Sequence, residues 1–556
     1  MSTPSPADAP RARRADLAAW AGLTLVLLVT VAIRLRLAPM PLERDEGEYA
    51  YIGSLLLKGV PPFDGAYTMK LPGTAAAYAL ALALFGHTPT GVHIGLLIAN
   101  AASIVLVFLL GRLLFGVRSG VVAAAWFAAA SLSPVVLGLN GHATQFVTPL
   151  ALGGFYLLAA RGRPGVARVA AAGALLGAAA LMKQSGAAFF LLGVLLVFLD
   201  GAKRMTAARR VAVLAVAFAC PLLVLLIWFK TAGTLPAAYF WTVTYARAYA
   251  TLTSADQAIG NLGSAVASWE PGFALVIGLS LMGLLLGSRL SGTGHRFVRV
   301  LPAGLLAVGA LVTASGWYFR PHYFVPLLPG AALGGAALFA ALTAESDTAA
   351  IRGRNRLRRV AAFSAAVLPP LSIVAWNAPL FFVTTPVGAS EAIYTMEAFP
   401  ESGAIGRYLR EHTAPGEKVA VLGSEPQIYF LADRPAATGY LYMYPLTEPQ
   451  PYARQMQEQM IAEVNRATPR YVVLVHNETS WAAAPRTDRF LLDWLARFRE
   501  GYTRVAVTEP VKSGVNRAGT RYIWDERDAA RYRPRRARYI EILRRKDAAA
   551  PAPAPG

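Results

Sequence analysis

Lys70-Leu71-Pro72-Gly73-Thr74-Ala75-Ala76-Ala77-Tyr78-Ala79-Leu80-Ala81-Leu82-Ala83-Leu84-Phe85-Gly86 is the stretch on which the architecture turns. It is apolar from 72 to 86, but it opens on Pro-Gly and is short. A helix needs about 20 residues to cross a hydrocarbon core of ~30 Å. The pattern predicts a re-entrant or interfacial helix rather than a span.

Working outward, apolar runs fall near residues 17–36, 91–111, 120–138, 146–160, 169–182, 186–199, 210–229, 271–288, 299–315, 323–342 and 360–383. Each is read as a transmembrane helix, about 11 in all. If 72–86 does not cross, one set of alternate turns collects Arg11/Arg13/Arg14, Arg112/Arg118, Arg161/Arg163/Arg168, Lys203/Arg204/Arg209/Arg210, Arg289/Arg296/Arg299 and Arg352/Arg354/Arg356/Arg358/Arg359. Basic turns mark the cytoplasmic side. If 72–86 did cross, every later turn would change side and the bias would break. The charge pattern thus fixes count and orientation together, with the N-terminus inside and the C-terminal part outside. The run after Arg11, Arg13 and Arg14 has no convincing cleavage site and reads as a retained first helix.

Bulk composition agrees. Of 556 residues 55% are hydrophobic and 15% charged, against about 25% charged in soluble domains. The net charge of +21 is explained by topology and by a basic stretch near anionic lipid, so nucleic acid is not an expected partner. The single cysteine, Cys220, lies in an apolar run and excludes a disulfide framework or Cys-based metal site.

The opposite turns have another character. Glu43, Asp45, Glu46 and Glu48 follow the first helix directly, and Lys70 closes the same loop. Like charges repel, so the cluster is either chemical or the acidic first turn of a helix starting near Glu46. Lys70 either meets a lipid phosphate or snorkels at the interface. The turn Gly141 to Gln145, Lys183-Gln184, and Trp317 to Tyr323 with Arg320 and His322 lie on the same side. Tyr239, Phe240, Trp241 and Tyr245 line a sugar or lipid groove or belong to an interfacial aromatic belt. His93 and His142 could ligate a divalent metal near carboxylates, although no tight ligand spacing supports it.

After 384 the composition becomes that of a soluble α/β domain. Ile405–Glu411 reads as helix, 418–423 as strand, 426–431 as a helix start, 470–475 as a second strand and 489–498 as helix. There is no Gly-rich phosphate loop. The linear division is a 1–16 tail, a 17–383 membrane domain with an outer loop at 37–90, a 384–525 extracytoplasmic α/β domain, and a basic, Ala/Pro-rich stretch at 526–556 expected to be disordered.

Several segments carry a family likeness. Arg44-Asp45-Glu46-Gly47-Glu48-Tyr49, Lys70-Leu71-Pro72-Gly73, Gly111-Arg112-Leu113-Leu114-Phe115-Gly116, Lys183-Gln184, Arg320-Pro-His-Tyr-Phe-Val-Pro and Glu425-Pro-Gln-Ile-Tyr-Phe-Leu-Ala-Asp433 resemble glycosyltransferase family 39. This is the protein mannosyltransferase-like family of the GT-C superfamily, which includes aminoarabinose transferases. The resemblance implies a polytopic α-helical membrane protein of GT-C fold in the inner (plasma) membrane. It implies a polyprenyl-phosphate-linked sugar as donor, a lipid, glycan or protein acceptor, and inversion at the anomeric carbon. In its terms Asp45 is the general base, Glu46 the second acidic position, and Lys70 the donor-phosphate contact. Arg320 and Lys183 are further phosphate contacts, and Tyr49, His322 and Gln145 candidate substrate contacts. No cofactor is firmly implied, and a divalent metal stays open. Two departures stand out: Leu71 replaces the first proline of a usual Lys-Pro-Pro, and Gln145 stands where an acidic residue is common. A transporter or flippase of polyprenyl-linked glycans is the alternative, but it would favour ionisable residues at the bilayer midplane.

Overall fold

The computed structural model describes residues 9–160, 162–199, 204–287, 296–344, 352–395, 397–483, 487–511 and 519–548. Arg161, Lys203 and Arg289, counted above among the basic turns, lie outside them. All eleven apolar runs fall on helices. The chain is a multi-pass helical membrane protein with a small sheet near its C-terminal part.

Five helices are long and apolar enough to cross a membrane unaided: Arg13–Leu37, Pro89–Phe115, Arg204–Thr231, Pro321–Thr343 and Arg356–Trp376. Ala255–Ala267 with Pro271–Gly287 adds a sixth as a pair bent by 107°. The other apolar helices have 10–17 residues. We label the first four helices α1 (Ala9–Leu37), α2 (Arg44–Leu57), α3 (Gly73–Phe85) and α4 (Pro89–Phe115). The deciding stretch is α3, 13 residues long. At ~1.5 Å per residue it reaches ~20 Å, short of the ~30 Å core.

The described chain divides into two units, the first comprising Met1–Arg36, Leu96–Leu226 and Thr253–Val383, the second Leu37–Gly95, Ile227–Leu252 and Thr384–Gly556. The first unit is a helical bundle packed through small residues, as membrane helices are when no hydrophobic drive separates them from lipid. A Cβ on Gly283 would lie 2.0 Å from the Gly334 carbonyl oxygen, and one on Gly173 2.4 Å from that of Leu214. Trp126, Phe127 and Phe155 fill its core. Arg34 is buried and donates to the Asn100 side chain (3.2 Å) and the Ser131 carbonyl (3.0 Å), so its charge is met by dipoles. Arg112 and Asp16 pair at 3.2 Å, which joins two turns assigned to the same side by charge.

The second unit is built on a five-stranded sheet of order β1-β2-β5-β3-β4. The strands are β1 (Ala420–Leu422), β2 (Tyr471–His476), β3 (Tyr502–Pro510), β4 (Thr520–Ile523) and β5 (Tyr539–Arg545). β1 and β2 are parallel and the other pairs antiparallel. Helices Ser402–His412, Gln427–Ala432, Ala453–Ala467 and Phe490–Glu500 accompany it. α2 and α3 belong to the same unit and pack closely: a Cβ on Gly53 would sit 3.0 Å from the Ala75 carbonyl oxygen.

The 526–556 stretch corrects the sequence reading. Over its described part it is folded, with a helix at Glu526–Arg531 and then β5, the central strand. Its arginines hid the strand pattern. Ile540, Ile542 and Leu543 are buried, and Glu541, also buried, accepts from Arg499 (2.9 Å) and pairs with His476 (2.9 Å). Those partners outweigh burial and hold the Glu541 carboxyl below its usual range. Residues 549–556 lie outside the described part.

Removing residues 532–556 should therefore not act as the trimming of a loose tail. It strips β2 and β3 of their shared partner. Limited proteolysis of the purified variant should find the region from residue 400 onward cut rapidly, and resistance equal to the full chain would contradict this.

Candidate functional site

In the second unit the acidic cluster becomes the first turns of α2. Glu43 is its N-cap: its carboxylate accepts the Glu46 N–H at 2.8 Å, and the Glu46 carboxylate accepts the Glu43 N–H at 3.1 Å. This reciprocal box satisfies two helix-end donors. The helix expected to start near Glu46 starts at Arg44, with Glu43 as its cap and Asp45 and Glu46 in its first turn; Asp45 and Glu48 have a further partner.

Those two lie one turn apart, so their side chains share a face. Both reach the Lys70 ammonium, Asp45 Oδ1 at 2.9 Å and Glu48 Oε2 at 2.5 Å. The ammonium also lies 4.5 Å from the Tyr49 ring centroid and 5.7 Å from that of Tyr442. The Tyr442 hydroxyl is 3.2 Å from Asp45 Oδ1 and 3.1 Å from Glu48 Oε2. Burial alone would lower the Lys70 pKa, but Asp45 and Glu48 raise it well above its ordinary value. Lys70 is therefore charged throughout the physiological range. The stability its pairing supplies is complete below about 10.5 and is lost only as pH rises through the raised value.

The carboxylates differ in access. The Glu48 side chain is 1% exposed and that of Glu46 0%, whereas Asp45 keeps 23%. Glu46 faces His93 Nε2 at 3.0 Å, and His93 Nδ1 lies 2.7 Å from the Ala38 carbonyl oxygen. The carbonyl can only accept, so Nδ1 carries a proton. A second proton must then lie between Nε2 and Glu46, on one or the other. With both ring nitrogens engaged, His93 is not poised as a metal ligand, contrary to the expectation that it could be one.

Arg44 braces the start of α2. It donates to the Ser424 carbonyl (2.6 Å), Glu397 (2.9 Å) and Glu425 (3.1 Å). Burial works against this guanidinium, but the two glutamates hold its pKa above the usual value. Burial pushes the Glu425 carboxyl up, with Arg44 and Ser480 opposing. Gly47 sits against the backbone of Gln427, where a Cβ would come within 2.4 Å of the amide nitrogen. The segment carrying Lys70 is tied down by Tyr67, whose N–H donates to the Gly439 carbonyl (2.7 Å) and whose hydroxyl donates to Glu463 (2.8 Å). Trp241 stacks on Tyr67 at 5.5 Å and 14°, within a π-helical turn, Phe240–Tyr245. Trp241 and Tyr245 thus line the space beside Lys70 together with Tyr440, Tyr442 and Tyr444. Tyr239, read with them, is exposed.

The remaining candidates lie in the first unit. His142 and His322 stack at 3.9 Å with their planes 6° apart. The Thr144 hydroxyl donates to the His322 carbonyl at 2.8 Å. The Lys183 ammonium sits 3.5 Å from the Tyr323 ring centroid, and the Arg320 guanidinium 5.4 Å from that of Tyr318. Gln145 is buried and its amide donates to the Gly138 carbonyl at 3.4 Å. The turns at 141–145, 183–184 and 317–323, assigned to one side by charge, come together here.

The sequence reading missed Tyr442 and the brace of Glu397, and counted Glu48 only as part of the cluster. Tyr442 is 394 residues from Glu48, with no local signal to connect them.

Residues 69–228 match the profile of a family described as dolichyl-phosphate-mannose-protein mannosyltransferase. No curated protein sequence matches the chain at a significant level. In fold it is similar to ArnT from Cupriavidus metallidurans in the apo state, with TM-score 0.57 and 16% identity over 95% of this chain and 98% of that one. Against ArnT bound to undecaprenyl phosphate the score is 0.56 at 18% identity, with the same coverage. The Archaeoglobus fulgidus oligosaccharyltransferase in complex with Zn and sulfate gives 0.52 at 14% identity, covering 91% of this chain and 73% of that one. At such identities the likeness is one of fold.

Lys70→Met should leave Glu48 buried without its cation, at a cost of about 2–4 kcal/mol, toward the lower end because Lys70 keeps some solvent. Adding Glu48→Gln should restore most of that loss. Thermal unfolding in detergent checks both, and a double variant no more stable than Lys70→Met would break the account.

Proposed function

We propose that this chain, a multi-pass helical membrane protein whose residues 69–228 match the protein mannosyltransferase profile, is a glycosyltransferase of that kind and transfers a sugar from a polyprenyl-phosphate donor to an extracytoplasmic acceptor with inversion. The observation that carries this reading is the pairing of Asp45, on α2, with Lys70, in the loop before α3, where Asp45 alone of Glu43, Asp45, Glu46 and Glu48 keeps substantial solvent access.

In this mechanism an acceptor hydroxyl or amine attacks the anomeric carbon from the face opposite the phosphate. Asp45 accepts the acceptor's proton. The bond from the anomeric carbon to the phosphate oxygen breaks, and its electron pair leaves with the phosphate. That anion is a stable leaving group, so no general acid is required. Lys70, held charged by its neighbours, stabilises the negative charge as it grows. Arg320 and Lys183 are proposed, from the resemblance alone, as further contacts to the donor phosphate. Tyr49 shapes the Lys70 side of the site through its ring, and Glu46 serves by fixing the helix start. His322 and Gln145 are proposed to act on substrate through the turns they hold. The membrane is proposed to be the inner one, with α2 and the sheet unit on the outer face. A lipid-linked donor stays in the bilayer and needs no nucleotide there, which agrees with the lack of a nucleotide-binding loop.

General-base help is worth typically ~10²–10⁴-fold. With purified protein and a defined polyprenyl-phosphate sugar, Asp45→Asn should keep its fold and lose at least ~100-fold in kcat. Near-normal turnover in that variant would remove Asp45 from the mechanism.

A further inference from the structure

Asp45 and Glu48 share a second donor besides Lys70. The Tyr442 hydroxyl reaches the same two oxygens, Asp45 Oδ1 at 3.2 Å and Glu48 Oε2 at 3.1 Å. Four groups thus close a ring in which each of these oxygens meets both the ammonium and the hydroxyl. The Arg44 carbonyl oxygen lies 3.3 Å from the same hydroxyl. Tyr442 is buried, and its ring stacks on Tyr444 at 4.9 Å and 28°. Burial, and after it Glu48, push this hydroxyl well above the ordinary tyrosine range, so it keeps its proton and stays a donor at physiological pH.

The placement of Tyr442 is set by the brace that sets the start of α2. The next residue, Met443, donates its N–H to Ser424 Oγ at 2.9 Å, and the Ser424 hydroxyl donates to the Ser480 carbonyl. The Ser480 hydroxyl donates to Glu425 at 2.6 Å, and Glu425 pairs with Arg44. Tyr442 and Asp45 are therefore held by one chain of contacts, although 397 residues separate them in sequence.

A phosphate acts differently on the two donors. It attracts the charged ammonium and has no such pull on a neutral hydroxyl. An ammonium has three N–H groups, so Lys70 can serve a phosphate and one carboxylate together. Glu48 makes the shorter contact, 2.5 Å, and at 1% exposed it has no water to replace its cation. Asp45, at 2.9 Å and 23% exposed, is the carboxylate that can release the ammonium at less cost. We infer that Tyr442 is the positioning residue of the proposed base: as Lys70 turns to the donor phosphate, the Tyr442 hydroxyl takes over Asp45 Oδ1 and holds that carboxylate against repulsion by the phosphate. With Oδ1 so held, the acceptor's proton goes to Oδ2. The inference rests on the glycosyltransferase reading and adds the group that keeps the base in place while its cation is engaged elsewhere.

Steady-state transfer kinetics of the full-length protein in detergent, with a defined polyprenyl-phosphate sugar, test it. Tyr442→Phe keeps the ring and removes the hydroxyl. It should lower kcat at least ~10-fold, the scale of one hydrogen bond to a charged group. Donor KM should stay within about twofold, because the donor's contact with Lys70 remains, whereas a residue that only supports the fold would move both. The same substitution is then made in two backgrounds. With Glu48→Gln, which leaves one buried charge fewer to be met and so protects folding, the ~10-fold loss should persist. With Asp45→Asn, where the base is already gone, the further loss should be less than about twofold. Unchanged kcat in Tyr442→Phe, or an equal loss with and without Asp45, would overturn the inference and leave Asp45 as the base. Near-normal turnover in Asp45→Asn alone would overturn the base itself, and this inference with it.

Discussion

The Lys70 ammonium is the point on which the second unit depends. Two carboxylates on adjacent turns of one helix repel unless a cation lies between them, and here one does, within 2.9 Å of both. The same cation faces the ring of Tyr442, and the loop that delivers it is bound through Tyr67 to the 438–440 segment and to Glu463. Remote stretches of chain are thus joined at one charge. Such a buried charge network specifies geometry more than it adds net stability, because desolvation offsets much of the attraction.

Around that charge, the protein gives carboxylates of similar intrinsic acidity different duties. Glu46 shares a proton with His93 and closes the cap, while Glu48 is enclosed against Lys70 and Tyr442. Asp45 is the one left partly open. Neighbours rather than residue type make the assignment, as in other sites where paired acids diverge in role. Arg44, clamped by Glu397, Glu425 and Ser424, keeps the helix start from drifting, and Gly47 lets the neighbouring backbone approach as closely as it does.

Much of this was legible in the sequence, for identifiable reasons. Hydropathy located the helices because lipid imposes a length and a composition on each. The charge bias grouped turns that do converge, such as those carrying His142, Lys183 and His322. Asp45 and Lys70 stood out because they are close in sequence and joined by a short loop. Tyr442, Glu397 and the stacking of Trp241 on Tyr67 were not legible, since each is a long-range contact with no periodicity to betray it. β5 was missed for a different reason: arginines crowd both its ends, at 533, 535, 536 and 538 and again at 544 and 545, and the basic composition masked the short buried run 540–543. A helix start near Glu46 was legible from the acidic residues themselves; the reciprocal cap between Glu43 and Glu46 was not, and it accounts for only those two of the four.

The sheet order carries a consequence for how the protein is made. β5 is the last of the five strands in sequence, yet it lies between β2 and β3. Until residue 545 has emerged, both neighbours present open edges, and open edges invite pairing with other chains. The helices before them can enter the membrane as they are synthesised, but the sheet must wait. The chain thus passes through a stage, set by strand order alone, in which its half-built sheet needs shielding from its own copies.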